Sequence, residues 1–100
     1  MQVISKRSNE KGQVEYHVDA ISDWEGFDSI VKYLKKYWCA IPLQIDDKVY
    51  SRRWVLKSGG VSISIYYDSQ IGNYLVREDG INDQSLLEQI EADLINRFQE

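Results

Sequence analysis

Residues 50–67 read YSRRWVLKSGGVSISIYY, and their reading decides the fold class. Gly59-Gly60 separates two runs rich in β-branched and aromatic residues, the pattern of two strands joined by a two-residue hairpin turn. A turn there sets Ser58 opposite Val61, Leu56 opposite Ile63 and Trp54 opposite Ile65 on one face. The other face pairs Lys57 with Ser62, Val55 with Ser64 and Arg53 with Tyr66. One face is apolar and the other mostly polar, as in an antiparallel sheet with one wet side. A slip of one residue would drive Arg53 and Lys57 into the core, so the register is strongly specified.

On the C-terminal side, Tyr74 to Glu78 reads as a third strand. A loop from Asp68 to Ile71 would pair Ile65 with Tyr74 and Ile63 with Val76, keeping apolar side chains together. A tighter Gly72-Asn73 turn would instead set Tyr67 opposite Glu78. On the N-terminal side, Val3–Arg7 and Gln13–Asp19 form a hairpin across the turn-rich segment 8–12. IPLQI (41–45) is expected as a short edge strand, where Pro42 is tolerated, with Asp46-Asp47-Lys48 as a turn.

Two helices complete the chain. Ser22-Asp23-Trp24-Glu25 fits a capping box, and Phe27, Ile30, Val31, Leu34 and Trp38 form one apolar stripe, predicting a helix over 23–38. Leu87, Ile90, Leu94 and Phe98 predict a second helix over 83–98, capped by Asn82 or Asp83. The order β-β-α-(β)-β-β-β-α implies one α+β domain over residues 1–100. Its antiparallel sheet has about five or six strands, with both helices on the face bearing Trp54, Leu56, Ile63 and Ile65.

The charge is uneven. The chain holds 12 basic and 16 acidic residues, a net of −4. Residues 1–60 carry ten basic and eight acidic side chains, whereas residues 61–100 carry two basic and eight acidic ones, a net of −6. Such a half disfavours nucleic acid and suits a basic partner. No apolar run is long enough to cross a membrane, and MQVISKRSNE lacks the apolar stretch of a secretory signal, so a cytoplasmic location is expected. Cys39 is the single cysteine, which excludes an intrachain disulfide and a cysteine zinc cluster. It is expected to be small and buried at a helix end.

No phosphate loop, nucleophile elbow or metal-binding signature occurs, so no catalytic, cofactor or metal residue is assigned. His17 is expected as an exposed strand residue, able to meet Asp19 on the same face. Asp46-Asp47 is too small a set of ligands for a cation. The aromatic content is more telling: three Trp, seven Tyr and two Phe, with Tyr66 expected beside Arg53 on the polar face. Tyr, Trp and Arg are enriched where proteins bind one another. Aromatics interleaved with Arg also suit single-stranded RNA, but the RNP1 pattern is missing.

The stretch YYDSQIGNYLVRED (66–79) sets tyrosines and acids on one hairpin. With the size, acidity and α+β layout, it resembles the immunity proteins of contact-dependent growth inhibition systems. The resemblance implies a non-catalytic domain that binds and blocks a cognate toxin domain, often a nuclease. A nuclease site is basic because it holds phosphates, and an acidic surface can occupy it. The residues expected to meet it are Asp68, Glu78, Asp79, Asp83, Glu88 and Glu91, with Tyr66 and Tyr67 as anchors. The alternatives are a small adaptor or regulatory subunit acting by assembly, then an RNA-binding module, then an enzyme.

Overall fold

The computed structural model describes residues 3–77 and 83–98. In order, the elements are β1 (Ile4–Ser8), β2 (Val14–Val18), α1 (Trp24–Tyr37), β3 (Ile41–Asp47), β4 (Ser51–Ser58), β5 (Val61–Asp68), β6 (Gly72–Arg77) and α2 (Ser85–Phe98). The strands form one antiparallel sheet in the order β1-β2-β6-β5-β4-β3. The expected α+β class, with a six-stranded sheet and two helices, is what the chain adopts. No helix among the described residues is long and apolar enough to cross a membrane.

The β4–β5 register is the expected one at every pair, from Ser58↔Val61 to Ser51↔Asp68. One row across the sheet runs Lys6, Tyr16, Leu75, Ile65, Trp54 and Ile45. This row faces the helices: Lys6 Nζ stands 3.2 Å from Glu91 of α2, and Trp54 packs edge-on against Phe27 of α1. The core between the layers is Phe27, Ile30 and Leu34 of α1, Leu87, Ile90 and Leu94 of α2, and Tyr16, Leu56, Ile63, Ile65 and Leu75 of the sheet. A fully buried side chain of this size contributes roughly 2–3 kcal/mol.

Five local expectations need correction. Asp23, not Ser22, caps α1: its carboxylate accepts the Gly26 N–H at 2.7 Å. The deciding contact is tertiary, because Asn73 of β6 donates to the Ile21 and Asp23 carbonyls (2.9 and 3.0 Å) and holds the chain there. Asp46 and Asp47 belong to β3, and the turn is 48–50, closed by Lys48 N–H to the Ser51 carbonyl (2.8 Å). The β5–β6 loop is the longer one, but Ile65 faces Leu75 and Tyr66 faces Tyr74. Leu75, not Tyr74, thereby reaches the core. Cys39 is exposed, with φ +54°, because it sits where the chain reverses from α1 into β3. Phe98 closes the α2 stripe but remains 42% exposed rather than buried with Leu87, Ile90 and Leu94.

Gly26 shows how tightly the α1 cap is packed. A Cβ there would stand 2.8 Å from Asp23 Oδ1, 3.0 Å from Ile21 Cβ and 3.2 Å from Asn73 Nδ2. Helix propensity alone favours alanine over glycine by about 1 kcal/mol. The crowding opposes it and forces the cap open, which costs about 1–2 kcal/mol. Gly26→Ala is therefore expected to destabilise, contrary to propensity, with a lower urea midpoint at unchanged m value. A higher midpoint would show that the cap yields.

Candidate functional site: the helix-free face of the sheet

Alternation along each strand sends every second side chain away from the helices. On that side a row crosses all six strands: Ser5, His17, Tyr74, Tyr66, Arg53 and Asp46. Its centre is a stack. The His17 and Tyr74 rings lie 4.7 Å apart at 22°, and the Tyr74 and Tyr66 rings 5.0 Å apart at 9°. Arg53 Cζ stands 5.7 Å from the Tyr66 ring, and its Nε donates to Tyr66 Oη at 3.0 Å. Both faces of Tyr74 are thus occupied by protein neighbours, and Tyr66 has one face on Tyr74 and its hydroxyl held by Arg53. A platform for nucleobases presents open ring faces, and Tyr74, stacked between His17 and Tyr66, offers none.

His17 is buried, 3% exposed, rather than standing in solvent. Its Nε2 meets Glu15 Oε1 at 2.9 Å, and Asp19 instead accepts from Ser5 Oγ. Glu15 and Asp19 each stand two residues from His17; the imidazole, stacked on Tyr74, meets Glu15, while Ser5 holds Asp19. Burial pushes the Tyr74 phenol up to about 12, helped by the charges of Glu15, Tyr66 and Asp68. It remains a protonated donor throughout the physiological range.

The Tyr66–Tyr74 ridge separates two hollows. The larger, about 510 Å³, lies between the ridge and the β1–β2 loop, with Asn9, Glu10, Lys11, Gln13 and Glu15 on its walls. Asn9 orders that loop: its Oδ1 accepts from the Lys11 and Gln13 N–H groups at 2.9 and 3.0 Å. The smaller, about 180 Å³, is bordered by Asp46, Lys48, Arg53 and Asp68. The larger hollow therefore holds two carboxylates with Lys11, whereas in the smaller one Lys48, Arg52 and Arg53 outnumber Asp46 and Asp68. Among the described residues, no group of three or more His, Cys, Asp or Glu side chains is arranged to hold a metal ion.

The residues expected to form one acidic face do not share a side of the sheet. Tyr66 and Asp68 belong to the helix-free face. Tyr67, its neighbour in β5, turns to the helices and meets Trp24 edge-on at 5.6 Å. Asp83, Glu88 and Glu91 are on the α2 side. Asp83 accepts the Ser85 N–H at 2.9 Å, and the Ser85 hydroxyl and N–H together hold its carboxyl below the ordinary value. Glu91 is paired with Lys6, while Glu88 is exposed. Glu78 and Asp79 lie outside the described residues. The split has a simple cause: α2 packs on one side of the sheet, and the period of two sends Asp68 to the other. Tyr74 was missed because the β5–β6 register sets it beside Tyr66, and Glu15 and the Asn9 loop because only the β2–β6 pairing brings them there.

No protein-family model matches this chain, and neither a curated protein nor a solved structure matches it.

Proposed function

We propose that this domain acts by binding another protein through the helix-free face, and that its partner is a toxin domain which it neutralises. The observation that carries the reading is the stacked Tyr66–Tyr74 ridge beside the larger hollow, where two carboxylates stand against one lysine. Stacked aromatics beside an arginine have little rotamer freedom left to lose on association, which favours hot-spot behaviour. The hollows admit side chains of a partner, and Glu10 and Glu15 outnumber Lys11 in the larger one, which suits basic groups. The toxin identity of the partner rests on the resemblance to immunity proteins, and the occupied ring faces favour protein over RNA.

Calorimetric titration against the toxin domain encoded beside this chain tests the reading. Tyr66→Ala is expected to weaken binding about 30-fold, the effect of losing about 2 kcal/mol at an anchor. Asp68→Lys is expected to slow association at low salt. Glu88→Lys, on the opposite side, is expected to change neither. If Tyr66→Ala binds normally while Glu88→Lys does not, the interface lies on α2.

A further inference from the structure

Three connections meet at one end of the sheet: the stretch leading from β2 into α1, the β3–β4 turn (48–50) and the β5–β6 loop (69–71). The Ser69 N–H donates to the Tyr50 carbonyl at 3.0 Å, and a Cβ on Gly72 would stand 3.0 Å from Ser22 Cβ, so the three are packed together. The turn and the loop also close on themselves, through Lys48 N–H to the Ser51 carbonyl (2.8 Å) and Ile71 N–H to the Asp68 carbonyl (3.1 Å). This end displays Trp24, Val49, Tyr50 and Ile71, which are 38%, 79%, 73% and 55% exposed. They are four of the nine large apolar side chains exposed among the described residues, a concentration beyond single scattered ones.

We infer that this loop end is a second contact with the partner of the Tyr66–Tyr74 ridge, and that it enters an apolar cleft with a basic rim. For the partner's identity the inference rests on the toxin reading. Area argues for a second contact. A stable interface covers about 800 Å² on each side, and an aromatic side chain supplies at most about 250 Å². Tyr66 and Tyr74 are already half-buried and fall well short of that. The smaller hollow joins the two regions, because both tyrosines line it together with Lys48, Ser51 and Asp68. Charge selects the occupant. Stretches 22–28, 46–53 and 68–72 hold six acids against three bases, a net of −3. Arg52 is taken up by Asp28 and Asp47, while Glu25, next to Trp24, and Asp46 are exposed. Such a balance repels nucleic acid and anionic lipid, and a second copy would set like charge against like. A basic-rimmed cleft in a protein meets both the apolar side chains and the acids. Because the turns are ordered beforehand, little conformational freedom is lost on contact.

Calorimetry against the toxin domain at several temperatures reads this contact. Val49→Ser combined with Tyr50→Ser is expected to weaken binding about 10-fold or more. It is also expected to make the heat-capacity change of binding less negative, the mark of lost apolar burial. If circular dichroism shows that this double variant does not fold, Ile71→Ser tests the same end with the same two readouts. Glu25→Lys is expected to slow association at low salt. Tyr37→Ser, 49% exposed at the far end of α1, is expected to change none of these. Normal affinity and heat capacity in the double variant, with weakened binding in Tyr66→Ala, overturn the inference and leave the toxin reading standing. The reverse pattern upholds the loop end and removes the ridge. A wild-type chain that does not bind the toxin domain overturns both. Binding to phosphatidylcholine vesicles, or self-association, that the double variant abolishes gives this end a different occupant and overturns the inference as well.

Discussion

Arg52→Ala is expected to lower stability by about 3 kcal/mol and the melting temperature by more than about 10 °C. Arg52 is the charged residue most deeply set among the helix-facing side chains, only 6% exposed. Its guanidinium lies 4.4 Å from both the Trp24 and Phe27 rings. Nη1 donates to Asp28 at 2.9 Å and Nε to Asp47 at 3.1 Å, and Trp54 Nε1 donates to Asp47 at 2.8 Å. One side chain thus ties α1, β3 and β4 together. Burial works to raise the Asp47 pKa, but the bonds from Arg52 and Trp54 and the Arg52 charge prevail and hold it below the ordinary value.

Packing outweighs charge in this cluster. Asp28 and Asp47 are 48% and 39% exposed, so water can resolvate both carboxylates when the cation is removed, and the Coulomb share is discounted accordingly. What water cannot replace is the planar group between two rings. Arg52→Met, which refills that space, is therefore expected to recover about half of the loss, and Arg52→Lys less, since a point charge cannot stack or fork. Thermal denaturation of the three variants checks the order. If lysine rescues better than methionine, the charge dominates.

The second large effect is alkaline. Burial pushes Tyr16, Tyr33 and Tyr74 each up to about 12. Glu88 and Glu91 add to the shift of Tyr16. For Tyr33 the hydrogen bond it donates to Asp93 (2.5 Å) adds to it. A folded pKa above the unfolded one gives stability that is fully present below pH 10 and is lost as pH rises to 12. Each such phenol changes stability by up to about 1.4 kcal/mol per pH unit in that window. Tyr16 is 2% exposed and takes the full share, while Tyr33 and Tyr74 touch water and take less, for a total of about 3 kcal/mol per unit. Over two units this approaches the whole stability of a domain of this size. The protein is expected to unfold between pH 10 and 12, with tyrosinate absorbance rising together with loss of ellipticity. Tyr74→Phe should flatten the slope. Independent ionisation of all tyrosines near pH 10 with the fold intact would falsify this.

The legibility of the chain varied with the range of the interaction. Gly59-Gly60 and strict alternation on both sides made the β4–β5 register readable, including Tyr66 beside Arg53. The β5–β6 register was missed by one residue, because the loop 69–71 has no comparable turn signature. Asp68 Oδ1 accepts the Gln70 N–H at 2.8 Å, and Gly72 at φ +101° re-enters the sheet. That single step is what sets Tyr74 beside Tyr66 rather than in the core. The late acids looked like one surface because they are neighbours in the chain, yet α2 and β5 present them to opposite sides.

Periodicity by itself determined the two helices, the strands and which face of the central hairpin is buried, because burial of apolar side chains at periods of 3.6 and 2 is a local property of the chain. Only the tertiary structure decided that β2 pairs with β6, that His17 is enclosed between Glu15 and Tyr74, and that Arg52 lies between two aromatic rings. Those arrangements join segments distant in sequence, and their energies come from packing and desolvation that no single segment carries.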